Sequence, residues 1–421
     1  MYTGSIATTS NPRIFLSAGE ASGDHYGAQL LAELRTRHPD LTSFGLGGKE
    51  MEEAGLDRIV RAEDVAHMGI TEVIRHMPNI YSKYRRLVAS IQKRRPEVAI
   101  LIDFPDVNFR LARELKKLNI PVIYFVSPQL WAWKRRRLQW VQQRVTRMMV
   151  IFPFEESFYR ARHVNATFVG HPLAELPLPT ISREHYAAAH NLSLAKEWIA
   201  LVPGSRWKEV TANLPTMYHA TKILSSHYEF LLPVATTLDA AQVQHLVTEL
   251  QTKFTEHPRT IRLVPDAREA LHHARASVVA SGTATVQAAV IGNPFIVVYR
   301  VSTLTFRLAK RLVHYPPEVW PPSRRDTETN LPIAMVNLIA GRRIVPELLQ
   351  THFTPHGVAS ALRPLLDNTP DRELMIANLA EIRHILRPAS NLTAIQQVCN
   401  AVEELLPGKA LKSGPNETAS V

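Results

Sequence analysis

The segment Trp198–Val210, Trp-Ile-Ala-Leu-Val-Pro-Gly-Ser-Arg-Trp-Lys-Glu-Val, decides the fold. Its apolar run Ile199–Val202 predicts a buried strand, which ends at Pro203-Gly204 before a polar stretch that can begin a helix. A strand, a glycine-containing turn and a helix direct free backbone N–H groups and a positive dipole end to one point. Arg206 adds a planar guanidinium suited to paired phosphate oxygens. The alternative is an ordinary strand–helix turn with an exposed arginine.

A second turn of the same design occurs near the N-terminus, where Ile14–Leu16 leads into Ser-Ala-Gly-Glu-Ala-Ser-Gly-Asp at residues 17–24. Two halves that each begin in this way predict an α/β protein with two Rossmann-like domains facing a central cleft. The extended run Leu176–Pro179 predicts the boundary. We therefore expect domains at residues 1–176 and 177–365, C-terminal helices at 366–406 that pack back on the first domain or on a partner subunit, and a disordered tail at 407–421.

Short apolar runs predict the strands, and the stretches between them predict helices. The expected strands are Ile14–Leu16, Phe44–Leu46, Val98–Ile102, Val122–Val126, Met148–Phe152, Thr167–Val169, Ile199–Val202, Phe230–Val234, Ile261–Val264, Ser277–Ala280 and Phe295–Tyr299. Val345–Leu349 is expected to be helical, and Tyr315–Pro332 a proline-rich loop.

The composition limits the class of protein. The 421 residues are 45% hydrophobic and 21% charged, which is typical of a soluble globular protein, and no apolar run reaches the roughly 18 residues of a membrane span. The single cysteine, Cys399, excludes intramolecular disulfides and indicates a cytoplasmic location. A net charge of +11 is compatible with nucleic acid, an anionic membrane surface or phosphorylated small substrates as partners.

Two basic stretches leave alternatives open. Asp64–Arg95 combines apolar and basic residues as an amphipathic helix on an anionic membrane would, although a pair of core-packed helices with solvated charges would look the same. Trp131 and Trp133, next to the basic run Lys134–Arg137, would stack on bases or sugars, anchor at a lipid interface, or simply pack in the core.

Candidate catalytic carboxylates follow the strand Val98–Ile102. Residues just past the carboxyl end of a parallel strand face the ligand crevice in open α/β sheets. Asp103 and Asp106 are therefore alternative general bases, the other one being the cap of a helix that begins near Val107. We favour Asp103 as the base and Asp106 as the cap. His171 also follows a strand, but no second residue stands at metal-ligand spacing from it.

The second half contains a further anion cradle, Ser281-Gly282-Thr283-Ala284, after another strand. The sequence lacks the Walker phosphate loop, the HExxH helix, the GxSxG elbow and an Asp-x-Asp pair for Mg²⁺. A diphosphate leaving group would then be met by helix N-termini and Arg206, with Asp103 accepting a proton from a hydroxyl. This combination suits glycosyl transfer.

The chain resembles the lipid A disaccharide synthase family, inverting glycosyltransferases of the GT-B architecture that release UDP. The matching motifs run in order over residues 13–350: Ala18–Asp24, Met68-Gly69-Ile70 with Glu72-Val73, Ile102–Asp106, Tyr124–Arg137, Pro153-Phe154-Glu155, Val169-Gly170-His171, Pro203–Arg206, Ala280–Ala284, Phe306 with Leu308–Val313, and Asn337-Leu338 with Ala340-Gly341-Arg342.

The resemblance implies transfer of the sugar of UDP-2,3-diacylglucosamine to 2,3-diacylglucosamine 1-phosphate (lipid X), without cofactor or metal. It implies a peripheral protein of the anionic inner membrane, a homodimer, and no nucleic-acid partner. It assigns Asp103 as the base and Arg206 to the diphosphate. The implied UDP-site residues are Gly204, Ser205, Ser281, Gly282, Thr283, Ala284, Gln287 and Asn337. The implied acceptor-side residues are Glu20, Ser22, Asp24, Met68, Asp106 and Ser127.

Three features depart from the family pattern. Position 287 usually holds Glu, and here it is Gln287; the family's Pro before Asn-Leu is Val336; and the segment Tyr315–Pro332 is longer than expected. The rival interpretations are a UDP-sugar epimerase on the same fold and, in a different class, a basic RNA-binding protein.

Overall fold

The computed structural model describes residues 11–66, 70–253, 259–321, 331–388 and 390–407, with the side chains of residues 65–79 and 304 outside the description. The described chain divides into two units. Residues up to Pro172, together with those from Pro388 onward, form the first unit, and Leu173–Arg387 forms the second.

The first unit is a parallel sheet with helices between its strands. The strands are β1 (Arg13–Ala18), β2 (Thr42–Gly47), β3 (Asp57–Arg61), β4 (Val98–Ile102), β5 (Val122–Phe125), β6 (Arg147–Val150) and β7 (Ala166–Phe168). The central strands β4 and β5 are buried along their whole length and β1 everywhere except at Arg13, as expected when helices cover both faces of a parallel sheet. The helices are α1 (Ala21–Arg37), α2 (Lys49–Glu53), α3 (Glu63–Ala66), α4 (Ile70–Arg94), α5 (Pro105–Lys117), α6 (Leu138–Arg144), α7 (Pro153–Arg160) and, at the boundary, α8 (Pro172–Glu175).

The second unit repeats this construction. Its strands are β8 (Glu197–Val202), β9 (Tyr228–Pro233), β10 (Ile261–Val264), β11 (Ala276–Ala280), β12 (Phe295–Tyr299) and β13 (Glu347–Leu349). Its helices are α9 (Arg183–His190), α10 (Trp207–Ile223), α11 (Ala240–Lys253), α12 (Ala267–His273), α13 (Thr283–Ile291), α14 (Thr303–Leu312), α15 (Met335–Ala340), α16 (Pro355–Leu366) and α17 (Pro370–Ile385).

The last helix, α18 (Ala394–Leu405), belongs to the first unit. It packs against α1, and its buried Val398, Cys399 and Val402 join the same apolar cluster as Leu30 and Leu34. The two C-terminal helices are thus divided between the units, α17 lying in the second and α18 in the first.

Each sheet reverses its strand order once. The first sheet has the order β3-β2-β1-β4-β5-β6-β7, and the second has the order β10-β9-β8-β11-β12-β13. Neighbouring strands β1 and β4 in the first sheet, and β8 and β11 in the second, therefore lead into helices in opposite directions. Such switch points are where open α/β sheets bind ligands. The predicted pair of Rossmann-like α/β domains is confirmed.

The structure differs from the sequence-based expectations at three elements. Val345–Leu349 is not a helix, because Glu347–Leu349 pairs with β12 and extends the sheet. The strand β3 was not predicted, since its sequence Asp-Arg-Ile-Val-Arg is largely polar and it lies at the sheet edge. The helix α5 begins at Pro105, two residues before the expected start, with proline in its first turn.

Three expectations fall on residues outside the description. They concern most of the long loop (residues 322–330), the tail from residue 408 onward, and Met68. Within the described residues, no helix is both long and apolar enough to cross a membrane.

Candidate active site

Asp103 lies at the switch point of the first sheet, directly after β4. It and Phe104 both adopt left-handed backbone conformations, with φ of 43° and 46°, which non-glycine residues rarely adopt. Three hydrogen bonds hold this turn: Tyr124 Oη donates to the Asp103 carbonyl (2.6 Å), and Asn108 Nδ2 donates to the carbonyls of Asp103 (2.7 Å) and Ile102 (3.1 Å). The strained backbone is therefore fixed by buried side chains of β5 and α5.

The Asp103 carboxyl has the acidity of a general base that works near neutral pH. Burial and, to a smaller extent, the negative charge of Glu20 raise its pKa to about 6, while a hydrogen bond from the Phe104 N–H opposes the shift. Glu20 is the exposed residue that precedes α1, at the end of the neighbouring strand β1. Two carboxylates from adjacent strand ends thus face one site, and one of them has a pKa matched to proton transfer.

The loops after β1 and β4 are in direct contact. A Cβ atom on Gly19 would lie 2.4–2.6 Å from the Phe104 ring, so only glycine fits here. Ser17 Oγ also donates to Asn108 Oδ1 (2.6 Å) in the buried interior. The glycine in the N-terminal turn is thus explained by the packing of the Asp103 turn rather than by a phosphate.

A buried polar network lies near Asp103. Trp131 Nε1 donates to Glu155 Oε1 (3.1 Å), and the Phe152 N–H donates to Glu155 Oε2 (3.3 Å). Burial raises the pKa of Glu155 to about 8, and the charge of Asp103 contributes to the increase. Ser127 Oγ and Tyr159 Oη are hydrogen-bonded at 2.7 Å, so the Ser127 hydroxyl is used inside the unit.

The structure decides between the alternatives for the tryptophan pair. Trp131 is buried against Phe154, edge to face, so it belongs to the core. Trp133 is 48% exposed, and Lys134 Nζ lies 4.1 Å from its ring centroid. Of these two tryptophans, only Trp133 is available to a ligand or a lipid surface.

Two acidic residues have roles other than those expected. Phe104, not Asp106, occupies the N-cap of α5, and the exposed Asp106 pairs with Arg137 (2.6 Å). The Asp24 carboxylate is buried and accepts from the backbone N–H groups of Gly48 (2.6 Å), Glu50 (3.0 Å) and Met51 (3.3 Å). Asp24 therefore caps the start of α2 and is not available to an acceptor, whereas Glu20 and Ser22 are exposed at the start of α1.

In the second unit, the turn after β8 has the predicted construction. Gly204 has a φ of 134°, and a Cβ atom there would lie 2.4 Å from Glu209 Oε2. The Ser205 N–H donates to Glu209 Oε2 (3.2 Å), and the Ser205 carbonyl accepts from Thr237 Oγ1 (2.6 Å). Arg206 precedes α10, and its side chain is 74% exposed beside Glu209 (3.2 Å).

The turn after β11 lies at the end of the adjacent strand. Gly282 has a φ of 154°, and the space where a Cβ atom would project is empty for 4 Å. It precedes α13, whose first residues are Thr283 and Ala284, while Gln287 lies one turn further and is half-buried. The N-termini of α10 and α13 thus lie at one sheet edge, an arrangement that can bind an anion.

Asn337 does not have a side chain free for a nucleotide. It is fully buried, and its amide donates to the Val345 carbonyl (3.0 Å) and to Glu347 Oε1 (2.8 Å). Its oxygen accepts from the N–H groups of Ile344 (2.7 Å) and Val345 (3.1 Å). The expected contact with uridine is therefore replaced by a structural role, in which Asn337 joins α15 to β13.

Three residues that shape these sites were given no role from the sequence, although Tyr124 and Glu155 belong to the matching family motifs. Tyr124 lies inside an apolar strand, and Glu347 lies in a segment that was predicted helical, so the local pattern pointed to neither. Glu155 did give a local signal: it stands three residues after Phe152, at the start of a helix that begins with Pro153, where a carboxylate commonly binds the preceding N–H.

His171 is buried in the first unit. Burial lowers the pKa of its imidazole to about 3, and its ring packs against Phe152 at 5.3 Å between centroids. Across the described ranges, no three His, Cys, Asp or Glu side chains are grouped as a metal site.

Comparison with known proteins gives consistent results. A family model described as Lipid-A-disaccharide synthetase matches residues 14–398. The lipid-A-disaccharide synthase of Acidobacterium capsulatum is 52% identical over 414 residues, which cover 96% of this chain and 99% of that protein. Among solved structures, the glycotransferase of kitacinnamycin superposes with a TM-score of 0.59 at 14% identity, covering 94% of this chain and 100% of that one.

A UDP-GlcNAc 2-epimerase from Neisseria meningitidis, bound to UDP-GlcNAc, superposes with a TM-score of 0.56 at 10% identity, covering 93% of this chain and 98% of that one. Structural likeness at these identities shows the GT-B type of fold alone, since a transferase and an epimerase share it. The choice of family rests on the sequence matches.

Proposed function

The chain belongs to the lipid-A-disaccharide synthetase family of glycosyltransferases, and from this premise we propose that it condenses UDP-2,3-diacylglucosamine with 2,3-diacylglucosamine 1-phosphate. The products are the β-1,6-linked disaccharide 1-phosphate and UDP. The observation that supports this proposal best is the half-buried Asp103 at the switch point of the first sheet, with a pKa of about 6.

In this proposal, Asp103 accepts the proton of the acceptor hydroxyl as its oxygen attacks the anomeric carbon of the donor. The bond from that carbon to the diphosphate oxygen breaks, UDP departs, and the configuration inverts. Glu20 is on the acceptor side and keeps the pKa of Asp103 high enough for a base that must also release its proton.

We assign the nucleotide to the carboxyl edge of the second sheet. Arg206, with Gly204 and Ser205, meets the diphosphate as its charge develops. In the turn 281–284, the Ser281 N–H donates to the Val298 carbonyl (3.0 Å), so the N–H groups of Gly282, Thr283 and Ala284 are those that the second helix start offers. Gln287 lies one turn into α13, and its single amide oxygen would accept a hydrogen bond from a ribose hydroxyl.

The proposal includes association of the protein with a membrane, because both substrates carry acyl chains. The described half of α4 buries Leu87 and Ile91 while Arg85 and Arg86 are exposed, and Tyr81 is 61% exposed. Leu87 and Ile91 pack inside the unit, so it is the exposed Arg85, Arg86 and Tyr81 that support peripheral binding at the anionic cytoplasmic face of the inner membrane. A homodimer rests on the family resemblance alone.

The decisive experiment mixes the purified protein with both acylated sugars, without added metal, and measures UDP and disaccharide phosphate. An isomerised UDP-sugar formed from the donor alone would indicate an epimerase and contradict the proposal. Retention of nonspecific RNA at near-physiological salt, without transfer, would favour the RNA-binding alternative.

Asp103→Asn is expected to reduce turnover by about 10²–10⁴-fold, because the amide cannot accept the proton. Binding of UDP, measured by calorimetry, should stay at the wild-type value. Matched Asp106→Asn should retain most activity, and full activity in Asp103→Asn would move the base elsewhere.

A further inference from the structure

A cavity of about 190 Å³ lies between α5 and α6 in the first unit. The helix α5 contributes three side chains that lie on one helical face, at spacings of four and three residues: Asp106, Arg110 and Arg113. The start and body of α6 contribute three more at spacings of three and four residues: Arg137, Trp140 and Arg144. Two helical faces therefore converge on the same space, with four guanidinium groups and one carboxylate.

The positive charge of the cavity is only partly compensated. Asp106 pairs with Arg137 (2.6 Å), but the Asp106 side chain is 71% exposed. Arg113 pairs with Glu114 (3.0 Å), which also binds Lys117, and Arg110 has no ion pair within the described part of the chain. Burial and the charge of Arg113 lower the pKa of Arg144, as expected where cations are crowded.

Trp140 holds two of these guanidinium groups in place. The Cζ atoms of Arg137 and Arg144 lie 5.6 Å and 5.1 Å from its ring centroid, and Phe109 packs edge-on against the same ring at 5.8 Å. Arg144 also donates to the Phe109 carbonyl (3.1 Å). Arginines fixed in this way lose little entropy when they bind an anion.

We propose that this cavity binds the phosphate group of an anionic lipid. A planar guanidinium offers paired N–H donors that match phosphate oxygens, and several of them converge here around one volume. Asp106 stands only three residues after Asp103, so the bound phosphate lies next to the turn that carries the base.

A second cavity provides room for the rest of the lipid. It has about 350 Å³ between α4 and α5 and shares Arg113 with the first. Its walls are mixed: Tyr81, Tyr84, Val88 and Ala89 are joined by the polar or charged Arg85, Gln92, Glu114 and Lys117. Two kinds of lipid carry a phosphate group that this cavity would bind. One is the acceptor 2,3-diacylglucosamine 1-phosphate, which is a candidate only if the proposed function holds, and the other is a membrane phospholipid.

The test uses the full chain with UDP present in saturating amounts, so that the second unit is occupied. Inorganic phosphate is titrated by calorimetry against chloride at equal ionic strength. The variants are Arg110→Gln and Arg110→Gln/Arg144→Gln, and the matched control is Lys116→Gln/Arg136→Gln, which removes two exposed charges that do not line the cavity.

We expect the wild type and the control to bind phosphate, and both cavity variants to bind it about tenfold more weakly or worse. The single variant guards against misfolding from loss of the Arg144 bond to Phe109. Equal affinities in all proteins, or equal losses in the control, overturn the proposal.

Two further measurements identify the lipid. A raised KM for the acceptor in detergent, with unchanged binding to phosphatidylglycerol vesicles, assigns the site to the acceptor phosphate. Reduced binding to phosphatidylglycerol but not phosphatidylcholine vesicles, with an unchanged KM, assigns it to a phospholipid. If neither changes, the lipid proposal is wrong. Disaccharide formation by the wild type tests the proposed function separately.

Discussion

Asp103 depends on a neighbouring charge as well as on its own burial. A carboxyl with a raised pKa loses its proton only as the pH rises through about 6, so a reaction that needs the base form slows below that pH. Because Glu20 contributes part of this increase, the pH dependence of the reaction reports on the contact between the two strand ends.

Glu20→Gln is expected to shift the acidic limb of kcat/KM to lower pH. Removal of the negative charge stabilises the ionised form of Asp103 and lowers its pKa. The pH–rate profile should be compared with that of Glu53→Gln, an exposed carboxylate that pairs with Lys49. An unchanged acidic limb in Glu20→Gln would mean that Asp103 is not the titrating base.

Asn337→Ala is expected to destabilise the protein by roughly 3 kcal/mol or more, because four buried backbone and side-chain partners lose their bonds. Denaturant unfolding monitors the stability and calorimetry the affinity for UDP. A variant of normal stability that fails to bind UDP would restore the nucleotide contact inferred from the family.

At the scale of elements, α7 carries the buried Glu155 that holds the loop after β5. This loop begins with Val126, a β-branched residue with a φ of 61°, so its conformation needs support from outside. Glu155 supplies this support by accepting a hydrogen bond from Trp131 Nε1. Burial keeps its carboxyl group protonated to about pH 8.

The pKa of Glu155 makes a prediction about stability. Between about pH 4.5 and 8, the unfolded chain has released this proton while the folded protein still binds it, so stability falls as the pH rises. The full slope is about 1.4 kcal/mol per pH unit for one group. Glu155→Gln should flatten the decline measured by denaturant unfolding between pH 5 and 8.

Glu156→Gln is the matched control, since Glu156 is partly exposed and pairs with Arg160 (2.7 Å). It should keep the wild-type slope. Equal slopes in the wild type and Glu155→Gln would show that the buried carboxyl ionises normally.

The whole molecule carries a charge of +11, and much of the basic sequence on its first unit lies in α4 to α6. If the protein binds membranes through α4, Arg85→Ser/Arg86→Ser should weaken binding to anionic vesicles by about tenfold or more, since each basic group near the surface contributes about 1 kcal/mol. Vesicle flotation at two salt concentrations measures the effect.

Arg13→Ser/Lys116→Ser removes the same charge from exposed positions outside α4. Binding should stay near the wild-type value in this control. If the wild type, the α4 variant and the control bind vesicles equally, α4 is a core-packed helix with solvated charges.

Much of the fold follows from local sequence. Val98–Ile102 and Phe295–Tyr299 were predicted to the residue, because strands buried on both faces need continuous apolar runs. The edge strand β3 was missed because its sequence is largely polar, and β13 was missed because its three residues were assigned to a helix.

The site was predictable only in part. The position of Asp103 after a buried strand pointed to the carboxyl edge of the first sheet, where we propose the base, and the turns at Gly204 and Gly282 led us to propose anion binding. Asp24 and Asn337 share the residue types of binding groups, but their partners were not visible from spacing.

The sequence by itself determined the two α/β sheets, the order of their turns and the family, because buried strands, glycine turns and ordered motifs are properties of neighbouring residues. Only the tertiary structure decided that Asp103 has a pKa near 6, that Asp24 and Asn337 are structural, and that four arginines line one cavity. These properties depend on burial and on groups from other elements, such as Glu20 beside Asp103, that only folding brings into contact.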